Sequence, residues 1–142
     1  MKKILFSIAV IAGLLILAGC TSGDDASSGD SITGVEWQWQ SLTNQSANET
    51  TDVPNPSDYT ITFNEDGTFE GKADCNNIAG SWSDDSGFSI TVGPSTMAFC
   101  GEASLDTQYV NLLSNVAAGG PDGSGGLALE TAGGAERMLF VE

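Results

Sequence analysis

Residues 59–72 read Tyr59-Thr60-Ile61-Thr62-Phe63-Asn64-Glu65-Asp66-Gly67-Thr68-Phe69-Glu70-Gly71-Lys72. Tyr59, Ile61 and Phe63 alternate with threonines, the period-two pattern of a strand with one buried face. Asp66-Gly67 closes a tight turn, because glycine accepts positive φ without a Cβ clash. Thr68 to Lys72 then returns as a second strand. The stretch is a β-hairpin with an acidic turn, and its neighbours follow the same grammar.

Upstream, Val35-Glu36-Trp37-Gln38-Trp39-Gln40-Ser41-Leu42 also alternates, with Val35, Trp37, Trp39 and Ser41 on one face. Such tryptophans serve as core or as a ligand platform, and core is the plainer reading. Residues 43–57 are polar, contain Pro54 and Pro56, and are expected to form a loop. Downstream, Ser81-Trp82-Ser83 leads into the turn Asp84-Asp85-Ser86-Gly87, and Phe88-Ser89-Ile90-Thr91-Val92 is another strand. Gly93-Pro94 interrupts it, and residues 95–99 are expected to resume extended. Leu105, Tyr109, Leu112, Leu113 and Val116 form a helical stripe. Ser104 is its expected N-cap, Asp106 lies in its first turn, and Gly119-Gly120-Pro121 is its expected end. Leu127 to Thr131 and Arg137 to Val141, joined by Ala132-Gly133-Gly134, make a closing hairpin. The expected class is α+β: a curved antiparallel sheet or partial barrel of about seven to eight short strands packed on one helix.

The N-terminus follows different rules. Lys2 and Lys3 precede a small, apolar run from Ile4 to Gly19, shorter than a comfortable membrane span. Leu17-Ala18-Gly19-Cys20 resembles the bacterial lipobox. That likeness implies a lipoprotein signal peptide over residues 1–19, cleavage between Gly19 and Cys20, and a diacylglyceryl group on the Cys20 thiol. The alternatives are a plain signal peptide with a chance cysteine, or an uncleaved anchor. Residues 21–34 are rich in Ser, Gly and Asp and read as a flexible tether, with a span of roughly 20 Å. Lipidated Cys20 and tether thus occupy 20–34, and the folded domain 35–142. The expected location is the extracytoplasmic face of the cell membrane or outer membrane, with the lipid as the contact to the bilayer.

The chain has 142 residues and 19 acidic side chains. Without residues 1–19, 123 remain (142 minus 19), enough for one modest core. The only cations left are Lys72 and Arg137, for a net charge of −17 (2 minus 19). A chain so short of cations offers no footprint for phosphate, so no nucleic-acid partner is expected. Histidine is absent, which removes the commonest general base and the usual zinc ligand. No enzymatic activity, cofactor or metal is expected. Paired carboxylates remain the one catalytic alternative, drawn from Asp66, Asp74, Asp84 and Asp85. With Cys20 assigned to lipid, Cys75 and Cys100 are an even pair in an oxidising compartment. A disulfide is expected, two buried free thiols being the alternative.

Asp74-Cys75-Asn76-Asn77-Ile78-Ala79-Gly80-Ser81-Trp82 resembles the cysteine–asparagine, glycine and aromatic signature of the META domain family, which includes HslJ-like heat-inducible lipoproteins. Ser95-Thr96-Met97-Ala98-Phe99-Cys100 resembles that family's second signature, a threonine four residues before a cysteine. The likeness covers residues 35–142. Ile78 stands where the family often has an aromatic, and Phe99 where alanine is common. Both are read as apolar exchanges within the core. The resemblance implies a cell-envelope protein linked to stress tolerance, without established catalysis. It also implies a fold like that of secretin pilot lipoproteins. Asn76, Asn77 and Thr96 form a candidate polar cluster, either satisfying backbone groups where the sheet bends or facing a binding groove. The expected function is a monomeric, lipid-anchored module that binds an envelope protein or peptide. The alternative is a carrier for an apolar ligand such as lipid.

Overall fold

The structure, a computed structural model, describes residues 31–142. The signal segment, the Gly19–Cys20 junction and most of the tether lie outside the described residues. In the hairpin, β3 (Tyr59–Phe63) pairs antiparallel with β4 (Thr68–Ala73), and Phe63 lies opposite Phe69. Tyr59, Ile61 and Phe63 are buried. Gly67 takes φ +80°, and Asp66 Oδ1 accepts hydrogen bonds from the Thr68 N–H and hydroxyl.

A two-residue turn at Asp74-Cys75, with Asp74 at φ +58°, leads into β5 (Asn76–Ser83). Then comes β6 (Ser89–Val92). Gly71 and Gly80 let this region coil tightly. A Cβ on Gly71 would lie 2.0 Å from the Thr60 carbonyl oxygen, and one on Gly80 2.1 Å from that of Thr91.

On the other side, β3 pairs with β1 (Glu36–Asn44), which pairs with β9 (Glu136–Val141). Beyond β9 come β8 (Leu127–Thr131) and β7 (Val116–Pro121). The order is β6-β5-β4-β3-β1-β9-β8-β7, all antiparallel. The two ends of this row approach each other, the Phe88 ring fitting against Gly119, where a Cβ would come within 2.9 Å of it. The single α-helix among the described residues, α1 (Asp106–Ser114), joins β6 to β7 in sequence and packs against β6 and β4. The result is a nearly closed, cracked barrel with one helix, as the alternation predicts.

Three local expectations are corrected. The loop expected over 43–57 contains β2 (Glu49–Asp52), which folds back on the extended end of β1. All four β2 residues are exposed, so no hydrophobic alternation marks it. Asn48 at φ +50° makes the turn, and the Thr43 and Thr50 hydroxyls meet at 2.9 Å. Second, the helix ends at Ser114, and Gly119-Gly120-Pro121 belong to β7 rather than terminating the helix. Asn115 halts it, its Nδ2 donating to the Asn111 carbonyl, and Val116 turns into the core. Pro121 is tolerated because β7 is a terminal strand. Third, packing begins before Val35: Ile32 is buried, its carbonyl accepts the Trp37 indole N–H at 2.9 Å, and Thr33 bridges Phe63.

Aromatic side chains fill the barrel. Tyr109 of α1 reaches inside and stacks on Trp39, with centroids 5.2 Å apart. It meets Tyr59 edge-on at 5.8 Å and lies 6.4 Å from Phe140. Phe63, Trp82 and Phe88 make a second cluster, at 5.0 to 5.7 Å. Each large apolar side chain buried this way contributes about 1.5–3 kcal/mol relative to exposure.

Candidate functional site

The site grows from the β4–β5 turn. Cys75 in that turn is disulfide-bonded to Cys100, with Cα atoms 5.6 Å apart. The bond ties the loop after β6 to the end of the sheet. Residues 95–99 do not form the extended strand expected of them. Side chains hold the loop instead. Thr96 N–H donates to the Asn77 carbonyl at 3.3 Å, and the Asn77 N–H donates to Thr96 Oγ1 at 2.9 Å. Asn76, only 4% exposed, receives the Ala98 N–H on Oδ1 at 2.7 Å and donates from Nδ2 to the Ala98 carbonyl at 3.0 Å. The same Nδ2 lies 3.1 Å from Asp106 Oδ2 and 3.3 Å from Cys100 Sγ.

The helix start is bound into this corner. The Tyr59 hydroxyl donates to Asp74 Oδ2 at 3.3 Å and accepts the Leu105 N–H at 2.9 Å. Leu105, not the expected Ser104, is the N-cap of α1; Ser104 lies one residue before it, and its Oγ accepts the Asp106 N–H at 3.1 Å. Of the polar cluster, Asn76 thus satisfies loop backbone groups at Ala98, and Thr96 satisfies the β5 N–H of Asn77. Asn77 takes part through its backbone, and its side chain is exposed.

Ala98 is tied to Asn76 by its backbone alone, and residues 96–99 are all exposed. Met97 is 92% exposed and Phe99 83%. This corrects the reading of Phe99 as an exchange within the core, whereas Ile78 is buried as read. Composition concealed the point, because an apolar residue beside a cysteine reads as interior. The available signal was Gly93-Pro94, which takes the chain off β5 before Met97. Between this loop and α1 lies an open groove of about 580 Å³, its apolar wall including Ile78, Met97, Phe99 and Val110 and its acidic side Glu102 and Asp106. A depression of equal volume on the other flank of α1 is lined largely by polar side chains such as Gln108, Asn111 and Asn115. It carries no exposed large apolar residue, so the first groove is the stronger candidate.

The carboxylates weighed for catalysis do not converge. Asp66, Asp84 and Asp85 sit on exposed turns, and Asp74 lies at the opposite end of the strands. Hydrogen bonds from Thr68 hold the Asp66 carboxyl below its ordinary value, the opposite of a general acid. Hydrogen bonds from Ser124 and Gly126 do the same to Asp122. Burial pushes the Tyr109 hydroxyl well above its usual value. Among the described residues, no group of three or more His, Cys, Asp or Glu side chains is placed to hold a metal ion.

The META domain profile matches residues 30–142. The chain belongs to the META domain family. No curated protein matches it. Two solved structures share the fold. One is a protein of the DUF4847 family from Bacteroides vulgatus, 17% identical, with a TM-score of 0.59 over 78% of this chain and 93% of that one. The other is a protein from Burkholderia xenovorans, 19% identical, with a TM-score of 0.60 over 89% of this chain and 97% of that one. At these identities the likeness concerns the fold alone.

Proposed function

We propose that this META domain is a non-catalytic, peptide-binding module of the cell envelope, held on the extracytoplasmic side of a membrane by lipid on Cys20. The observation that carries the binding half is the exposure of Met97 and Phe99 on a loop pinned by a disulfide and by Asn76. Exposed apolar side chains on a pinned loop lose little freedom when a partner covers them. Their position suits a partner in the aqueous space. The first described residues join the sheet at Phe63, whereas the loop sits at the Asn76 end of β5, about 13 Å away along the strands at roughly 3.3 Å per residue.

The apolar-carrier reading is weaker, because Tyr109, Trp39, Phe63 and Phe140 already occupy the interior. The anchoring half rests on the lipobox and on an acidic surface that anionic headgroups repel.

Two variants test the halves separately. Cys20→Ala should appear in the soluble fraction or remain uncleaved; normal processing with membrane retention contradicts the anchor. The Met97→Ser/Phe99→Ser double variant should keep its thermal midpoint yet match a deletion strain in envelope-stress survival. Survival restored to the native level by that variant contradicts the binding role of the loop.

A further inference from the structure

The groove's charge says what kind of peptide fits it. Apart from its apolar wall, it carries Glu102, which is exposed, and Asp106, which is half-buried. No cation lines it. The two cations among the described residues are engaged elsewhere, Lys72 with Asp58 at 3.8 Å and Arg137 with Glu130 at 3.1 Å. Sixteen acidic residues (19 minus Asp24, Asp25 and Asp30) surround them in the described part of the chain. An acidic or neutral peptide would leave this field uncompensated, and the acidic segment 21–30 of the chain itself is repelled by it.

The loop also offers backbone. Thr96 and Ala98 are the residues whose N–H groups turn toward β5. The intervening Met97 and Phe99 N–H groups have no protein acceptor among the described residues. A partner lying along the loop in extended form meets those donors together with the two apolar side chains.

We infer that the groove between the loop at residues 95–102 and α1 docks a short, extended, basic amphipathic segment of a partner protein. Apolar side chains of the segment cover Met97 and Phe99, and its Lys or Arg side chains meet Glu102 and Asp106. This rests on the peptide-binding reading above and adds the class of partner. Because the attraction is charge-based, binding weakens as ionic strength rises.

The test uses the full chain in phosphatidylcholine nanodiscs and two fluorescent twelve-residue peptides of alternating Leu and Lys, or Leu and Gln. The expected result is binding of the Lys peptide at least tenfold tighter than the Gln peptide. Met97→Ser/Phe99→Ser should weaken it tenfold or more, Glu102→Gln about two- to fivefold, and Glu49→Gln on β2 not at all. All four substituted side chains are exposed, so folding is not at issue. Equal binding of both peptides, lost in the Met97/Phe99 variant, overturns the basic-partner inference and leaves the peptide-binding reading standing. Binding of neither peptide overturns both. Lys-peptide binding indifferent to positions 97 and 99 shows attraction to bulk charge and overturns the inference. Partition of the loop into the bilayer, seen as quenching of a fluorophore at position 99 by spin-labelled lipid in the nanodisc, overturns it in favour of a membrane contact.

Discussion

The side-chain amide of Asn76 pairs with the backbone of Ala98 as a second strand would, accepting its N–H at 2.7 Å and donating to its carbonyl at 3.0 Å. One buried carboxamide thereby replaces a ladder that residues 95–99 do not form, and it pins the loop that exposes Met97 and Phe99. Asn76→Ala strips partners from both groups at a site 4% exposed, at an expected cost of about 2–3 kcal/mol in denaturant unfolding. Asn76→Asp should lose at least as much at neutral pH, since a carboxylate cannot donate to the Ala98 carbonyl and would face Asp106 Oδ2, now 3.1 Å from Nδ2. Either variant unfolding with the native midpoint would refute this role.

The disulfide works beside that amide. It closes a loop with a sequence separation of 25, which on the chain-entropy view contributes roughly 3.5 kcal/mol. The Cys75→Ala/Cys100→Ala variant should lose about 2–4 kcal/mol of stability. Hydrogen exchange should quicken most over residues 95–104, while the buried strands β3 and β9 stay protected. Uniform acceleration across the domain would show that the bond serves the whole barrel rather than the loop.

Tyr109 is fully buried, and its hydroxyl has no hydrogen-bond partner among the described residues. Tyr109→Phe should therefore fold at least as stably as the native chain, by up to about 1 kcal/mol. The alkaline limb tests it further. Burial raises the folded-state pKa, so the stability tied to the neutral hydroxyl is complete below the usual tyrosine value of about 10. It is lost as pH rises from there through the folded value. Tyr109→Phe should lose less stability between pH 9 and 11 than the native chain, measured by urea unfolding at each pH. An equal or steeper loss in the variant would contradict a hydroxyl held neutral by burial.

What could be read beforehand followed burial. Tyr59, Ile61 and Phe63 alternate because one face of β3 is core, and Tyr109, Leu112 and Leu113 repeat because one face of α1 plugs the barrel. The chain was opaque where burial does not drive structure. Strand β2 is wholly exposed, so its pairing rests on a turn at Asn48 and on threonine contacts that leave no periodic trace. Strand β7 carries Gly119 because Phe88, far off in sequence, needs that space. Glycine beside proline reads locally as a helix stop. The polar cluster was visible as residue types, but which backbone Asn76 would satisfy depends on where the loop returns. For the same reason the outward turn of Met97 and Phe99 was hidden.

The central claim is that the Met97–Phe99 face of this META domain meets a protein partner in the envelope. Photocrosslinking in intact cells tests it most directly, with a photoreactive side chain at Met97 and, as a control, at Glu49, both exposed and on separate elements, the loop and β2. The account predicts a discrete adduct of higher mass from position 97, absent from position 49 and diminished when Glu102 is changed to Gln. No adduct at 97, or the same adducts from both positions, would contradict it.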